Sequence, residues 1–287
     1  MNDPAPKQPS PHHTTEAATA QAGTQGLPIW YELMTPDPAA VAPFYRAVLG
    51  WDIPAEGHAM PNGAQYREIG RVDGGFAGGV LTLTQQMQQG GARPGWMTYF
   101  HVQDVDASVA KAQSLGASVH MPPSTMEGVG RMAMVADPHG APFYVMDPTP
   151  PPDRPDAQSD VFAPRKAGHC WWNELQTTNE PASTAFYKAL FGWSTDNSMP
   201  MGDKGDYRFI EGDGQGIGAI NPWMPDWMPV SWLPYFGVTD IEAACDAAWS
   251  AGGTIRHDVR EVPGGDFIFT VTDPAGAPVG FVDPKGA

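Results

Sequence analysis

Cysteine is nearly missing from this chain: Cys170 and Cys245 are the only two in 287 residues. They lie 75 positions apart, so they form no C-x-x-C metal or redox motif, and such sparse use does not require an oxidising compartment. A cytoplasmic location is the expectation. Basic residues are scarce too, with 16 Lys and Arg against 32 Asp and Glu, a net charge of −16. That field repels phosphate backbones and anionic headgroups, so neither nucleic acid nor a membrane is expected as a partner. No run approaches the ~18 apolar residues of a membrane span, and the first residues lack the basic and apolar regions of a secretory signal. The protein is therefore expected to be soluble and not secreted. What the chain does have is 41% hydrophobic residues, over a length that suits roughly two domains of about 100–200 residues each.

Residues 1–27 are dominated by Pro, Ala, Thr, Gln, Ser and Gly and show no periodic apolar face, which reads as a flexible tail. His12 and His13 within it read as solvated rather than as metal ligands. A second Pro-rich stretch, 149–167, reads as a semi-rigid linker. The segments it separates, 28–148 and 168–284, repeat one another. Trp30-Tyr31-Glu32-Leu33 is answered by Trp172-Asn173-Glu174-Leu175, and Phe44-Tyr45 with Gly50-Trp51 by Phe186-Tyr187 with Gly192-Trp193, each pair 142 positions apart. Tyr99-Phe100 matches Tyr235-Phe236, and the turn Asp137-Pro138-His139-Gly140 matches Asp273-Pro274-Ala275-Gly276, both 136 apart. A repeat of this kind is one supersecondary plan used twice.

Within the first copy, residues 28–34 alternate as a strand. Asp37-Pro38 starts a helix that Gly50 stops, and strands are expected at 65–70 and 76–83. The unit then restarts, with a strand at 96–102, a helix begun by Asp104 that runs to Leu115, and strands near 117–121, 131–136 and 142–147. The second copy follows the same order, with Asp240–Ser250 as its second helix. These motifs in this order resemble the vicinal oxygen chelate superfamily, which includes glyoxalase I, bleomycin-resistance proteins and extradiol dioxygenases. Within it they resemble most the two-domain glyoxalase-like subgroup often labelled as hydroxylases or secreted mycobacterial antigens. The resemblance implies an α+β fold of tandem duplicated domains. Each domain would contain two βαβββ modules that form a cup-shaped mixed sheet with flanking helices.

The resemblance also implies a divalent metal on the floor of each cup, one ion per cup, gripped by imidazole or carboxylate from the first and fourth strands of each module. The matching positions here are Trp30, the segment 76–84, Met97 and Tyr144 in the first copy, and Trp172, the segment 217–221, Leu233 and Gly280 in the second. None of them offers His, Asp or Glu, so no cofactor is expected and no residue is assigned to a metal.

Strand periodicity puts Glu32 on the face of Trp30 and Glu174 on that of Trp172, and likewise Tyr99 and His101 on the face of Met97. The first cup is then lined by Trp30, Glu32, Met97, Tyr99, His101 and Tyr144, and the second by Trp172, Glu174, Leu233 and Tyr235. Glu32, Glu174 and His101 are the candidate acid–base residues and the others the candidate ligand-binding walls. The bland reading makes the tryptophans core, the glutamates backbone partners at a rim, and His101 a surface residue. His169 falls off the face of Trp172 and is not expected to act with Cys170 as a metal pair. The run Trp223-Met224-Pro225-Asp226-Trp227-Met228 reads as a lid over the second cup or as a dimer contact.

The leading reading is a small-molecule protein, monomer or homodimer, that binds an aromatic or cationic organic ligand for sequestration or metal-independent acid–base chemistry. A metal-dependent lyase, isomerase or dioxygenase with a shifted site, using Glu32 and His101, is the alternative. A purely structural or regulatory role is a third possibility.

Overall fold

The computed structural model describes residues 25–60 and 62–284; the expected tail before Gln25 lies outside them. In the first half the elements are β1 (Pro28–Thr35), α1 (Pro38–Leu49), β2 (His58–Ala59), β3 (Gln65–Gly70), β4 (Phe76–Thr82), α2 (Gln85–Gln89), β5 (Gly95–His101), α3 (Val105–Ser114), β6 (Ser118–Met126), β7 (Gly130–Ala136) and β8 (Pro142–Pro148). The second half continues with β9 (Cys170–Gln176), α4 (Glu180–Phe191), β10 (Ser198–Pro200), β11 (Asp206–Gly212), β12 (Gln215–Asn221), β13 (Ser231–Gly237), α5 (Ile241–Ser250), β14 (Thr254–Glu261), β15 (Asp266–Thr272) and β16 (Pro278–Pro284).

The helices begin and end where side-chain chemistry says they should. Asp37 accepts from the Ala40 N–H at 3.0 Å, Asp104 from Ala107 at 2.9 Å and Asp240 from Ala243 at 3.0 Å, each satisfying one of the first-turn donors that a helix leaves unpaired. Pro38 occupies the first turn of α1, and Gly50 closes it in the left-handed region at φ 70°.

The strands form two eight-stranded mixed sheets, ordered β2-β3-β4-β1-β5-β8-β7-β6 and β10-β11-β12-β9-β13-β16-β15-β14. In each module the fourth strand returns parallel to the first, as β1 with β4 and β5 with β8, and the modules join through antiparallel β1 and β5. The fold is α+β, with the expected tandem of duplicated sheets.

Alternation along β1 sends Tyr31 and Leu33 to one face and Trp30, Glu32 and Met34 to the other. Tyr31 and Leu33 enter a core that the two halves share. One cluster joins Phe44, Tyr45, Trp51 and Trp96 to Phe236, Phe269 and Phe281; another joins Phe100 and Phe143 to Phe186, Tyr187, Trp193 and Trp232. Helix α1 lies against α5, and α3 against α4, so the sheets pack back to back around the helices.

The repeated motifs serve this interface. The Tyr45 hydroxyl donates to Asp273 Oδ2 at 3.1 Å while accepting from Trp96 Nε1 at 3.0 Å, and Asp273 Oδ1 accepts the Ala275 and Ala277 N–H groups at 2.9 Å. Equivalent positions also meet directly: the Tyr31 hydroxyl donates to Asn173 Oδ1 at 3.0 Å. No helix among the described residues is long and apolar enough to cross a membrane.

Candidate functional site

Because the helices occupy the shared core, the opposite face of each sheet is the concave one. In the first sheet β1 and β5 set Trp30 beside Tyr99 and Glu32 beside Met97, while β5 and β8 set Tyr99 beside Tyr144. The two tyrosine rings stack, with centroids 4.1 Å apart and planes 9° from parallel. The Tyr99 hydroxyl donates to Glu32 Oε2 at 2.9 Å. Glu32 Oε1 is buried and has no hydrogen-bond partner. Burial without a facing cation pushes the Glu32 carboxyl up to about 7, only partly offset by the Tyr99 hydrogen bond. Both protonation states are therefore available near neutrality, which is what a general acid or base needs. Burial first, and the Glu32 charge second, raise the Tyr99 and Tyr144 hydroxyls, so they remain protonated.

A cavity of about 2230 Å³, counting its mouth, opens on this face and is lined by Trp30, Glu32, Met97, Tyr99, His101 and Tyr144. The expected residues of the first cup thus share one space. His101 stands half-buried at the end of β5, where its backbone N–H bonds the Leu27 carbonyl at 2.9 Å. Nine of the chain's 14 methionines line the same cavity, among them Met34, Met132 and Met146. Unbranched thioethers make a soft, polarisable wall that favours contact with aromatic rings. The expected linker supplies one side, from Thr149 to Phe162, and the Ser159 hydroxyl ties it to the Ile29 carbonyl at 2.6 Å.

The second sheet carries the same frame but a different interior. Leu233, Tyr235 and Trp172 share one cluster with Trp227 and Met228, so the Trp- and Met-rich loop between β12 and β13 folds onto this face and packs against it. Trp223 and Trp227 both stand against the His257 ring, at 5.6 and 5.9 Å. Glu174 is fully engaged. Its Oε1 accepts from the Gln176 amide, from Asn221 Nδ2 at 3.3 Å and from the Tyr235 hydroxyl at 3.4 Å, while Oε2 accepts from the Tyr207 hydroxyl at 2.6 Å. In the first cup the places of Gln176 and Asn221 fall to Met34 and Leu81, as the strand pairing shows. Neither can donate, and this accounts for the unpaired oxygen of Glu32.

Two tyrosines complete the frames and were not foreseen from the sequence. Tyr66 on β3 accepts from Trp30 Nε1 at 2.6 Å, and Tyr207 on β11 accepts from Trp172 Nε1 at 2.9 Å. Tyr66 lies over Gly79, where a Cβ would come within 2.0 Å of its hydroxyl oxygen, so a bare backbone on β4 lets this ring reach across. The signal was present in the repeat, since Tyr66-Arg67 and Tyr207-Arg208 stand 141 positions apart.

The metal that the fold resemblance implies finds poor donors in either cup. Among the described residues, the one group of three or more His, Cys, Asp and Glu side chains close enough to hold an ion is Asp73, Asp160 and His169, at the edge of the first cavity, which Asp160 lines, and it does not include Glu32. The other carboxyls and imidazoles that line the first cavity form no such group with Glu32 among the described residues, and a catalytic ion normally keeps three protein ligands.

Comparison with known proteins adds the relatives. The profile of the Glyoxalase-like domain matches residues 30–146, and that of the Glyoxalase/Bleomycin resistance protein/Dioxygenase superfamily matches 167–281. The chain is 30% identical over 254 residues to CFP32 of Mycobacterium tuberculosis (strain CDC 1551 / Oshkosh), a protein with a provisional glyoxylase name, covering 88% of this chain and 93% of that one. It is 27% identical over 266 residues to the anthracycline biosynthesis protein DnrV of Streptomyces peucetius, covering 88% and 91%. Among solved structures, the Mn(II)-bound glyoxalase from Novosphingobium aromaticivorans superposes with a TM-score of 0.61 at 15% identity, over 91% of this chain and 82% of that one. The 2,3-dioxygenase LapB from Pseudomonas sp. KL28 gives 0.57 at 15%, over 91% and 93%.

Proposed function

The chain belongs to the glyoxalase/bleomycin resistance protein/dioxygenase superfamily, and from that premise we propose that its first cup binds a planar aromatic organic molecule and exchanges a proton with it through Glu32. The observation that carries this reading is the bare Oε1 of Glu32, buried in a wall of thioethers and stacked phenols. A flat ring system placed on such a wall gains roughly 0.5–1.5 kcal/mol per stacked ring beyond area burial. Tyr99 fixes Oε2 and leaves Oε1 as the atom that takes or returns a proton. Because the carboxyl sits near 7, it can abstract from an acidic phenol or activated C–H and give the proton back without a strong bias either way.

The anthracycline biosynthesis name of DnrV supports the polycyclic aromatic class, since anthracyclines are fused-ring compounds. The donor sets of the cups do not fit a divalent ion, so no step is drawn through one. The second cup, against which its own loop packs, serves as a support for the first. We place this activity in the reducing cytoplasm, with Cys170 and Cys245 as free thiols.

Calorimetric titration with a hydroxyanthraquinone tests the reading. Saturable one-to-one binding that weakens roughly 2- to 12-fold in Tyr144→Ala, the worth of one stacked ring, is the expected result. Absence of binding, or binding indifferent to Tyr144→Ala, contradicts it.

A further inference from the structure

We propose that Asp73, Asp160 and His169 form a site for one divalent transition-metal ion of the zinc class, lying at the edge of the first cavity and away from Glu32, and clipping the segment between the halves to each of them. The three residues come from three places: Asp73 from the turn between β3 and β4, Asp160 from the connecting segment, and His169 from the residue before β9. Their donor atoms all lie within 4.8 Å of one another.

His169 is the informative member. It is 3% exposed, its Nδ1 is held at 3.0 Å by the Ala167 carbonyl, and its buried Nε2 has no hydrogen-bond partner. Nδ1 bound to a carbonyl carries the proton, which leaves the Nε2 lone pair aimed outward; backbone carbonyls orient metal-binding imidazoles in the same way. Nε2 faces Asp73 Oδ2 at 3.6 Å and Asp160 Oδ2 at 3.8 Å. Both distances exceed the roughly 2.7–3.2 Å of an N–H···O hydrogen bond. An ion with tetrahedral N and O ligands at about 2.1 Å keeps its donors about 3.4 Å apart, close to what is found.

Charge points the same way. Arg71 donates to Asp73 Oδ1 at 3.0 Å and Oδ2 at 3.3 Å, and to Asp160 Oδ1 at 3.1 Å and Oδ2 at 2.5 Å, and these bonds hold both carboxyls below their usual range. One guanidinium against two carboxylates leaves a net negative charge facing the imidazole. Each carboxylate retains lone pairs that Arg71 does not use. The carboxylates are half exposed, 52% and 60%, which gives an ion its way in. A mixed imidazole and carboxylate set suits zinc-class ions better than the all-oxygen ligation of calcium or magnesium.

The consequence is mechanical. Asp160 follows Ser159, the residue that ties the strap to Ile29, and the strap forms one side of the first cavity. An ion bound here would hold that strap down.

Titration of the full-length protein with Zn2+ decides the matter, using Asp73→Asn and Asp160→Asn, singly and together. These positions are exposed, and asparagine keeps an acceptor oxygen for Arg71, so folding is expected to survive, as circular dichroism would check. One equivalent of Zn2+ should bind the parent chain and raise its Tm, with affinity at least about tenfold weaker in each single variant. Substituted Co2+ should show the visible absorption of a tetrahedral site, and Zn2+ should slow proteolysis between Pro150 and Ala157 in the parent but not in the double variant. No stoichiometric binding overturns the proposal. So does binding that persists undiminished in the double variant, which would place the ion elsewhere.

Discussion

Gln176 donates a hydrogen bond to Oε1 of Glu174, whereas at the equivalent position of the other copy Met34 presents Glu32 with a thioether. Two carboxylates on the same strand position of one duplicated plan thus have opposite surroundings. One is saturated by an amide pair and two phenols. The other keeps an empty oxygen in an apolar cavity.

The pH dependence of stability follows from Glu32. Its folded pKa of about 7 lies above the ordinary 4.5, so the folded state binds more protons than the unfolded state between these values. Stability then falls as pH rises through that window, by on the order of 3 kcal/mol in total. Urea unfolding of Glu32→Gln against the parent should show near-equal stability at pH 5, with the variant ahead at pH 8.5. Parallel curves at both pH values would contradict the assignment.

Exchanging the interiors should exchange the carboxylates. Met34→Gln with Leu81→Asn rebuilds the amide pair around Glu32 and should bring its pKa down towards the ordinary range, because hydrogen bonds to a carboxylate favour the charged form. The check is the same unfolding comparison, in which the loss of stability between pH 5 and 8.5 should shrink.

The loop over the second cup packs Met228 against Leu233, Tyr235 and Trp171. Met228→Ala should cost about 2–5 kcal/mol, as expected for truncating a buried methionine in a packed cluster. Denaturant unfolding measures the cost. A loss below about 0.5 kcal/mol, the range of surface changes, would mean that the loop does not pack as described.

The contact between Tyr45 and Asp273 joins the halves. Tyr45→Phe strips one hydrogen bond from the carboxylate and one from Trp96, and should cost about 1–3 kcal/mol. A double-mutant cycle with Asp273→Asn should give a coupling energy of at least about 0.5 kcal/mol; additive losses would deny the contact.

Most of the frame was legible in the sequence. Repeat spacing, the helix-starting aspartates and strand alternation placed β1, α1, β5 and α3 within a residue or two; alternation put Glu32 on the face of Trp30 and Tyr99 on that of Met97, while the family resemblance supplied Trp30, Met97 and Tyr144 as cup positions. What periodicity could not convey was which halves touch. Phe-Tyr, Gly-Trp and Asp-Pro-x-Gly read as family marks, yet Tyr45 and Asp273 show that they bind one half to the other. Nor could alternation along β1 see that Tyr66 on β3 reaches the Trp30 indole across β4. His169 was set aside as lying off the face of Trp172. Its neighbours Asp73 and Asp160 are remote or unremarkable in the chain and meet it only through the packing of a turn against the connecting segment.

The most direct measurement is a site-resolved titration of the Glu32 side-chain carboxyl by carbon-13 NMR in the ligand-free protein, assigned with Glu32→Gln. A midpoint near 7 is expected from an unpaired carboxyl buried among methionines and tyrosines. A midpoint near 4.5 would mean that water or a cation reaches Oε1, and the proton-exchanging cup would have to be given up.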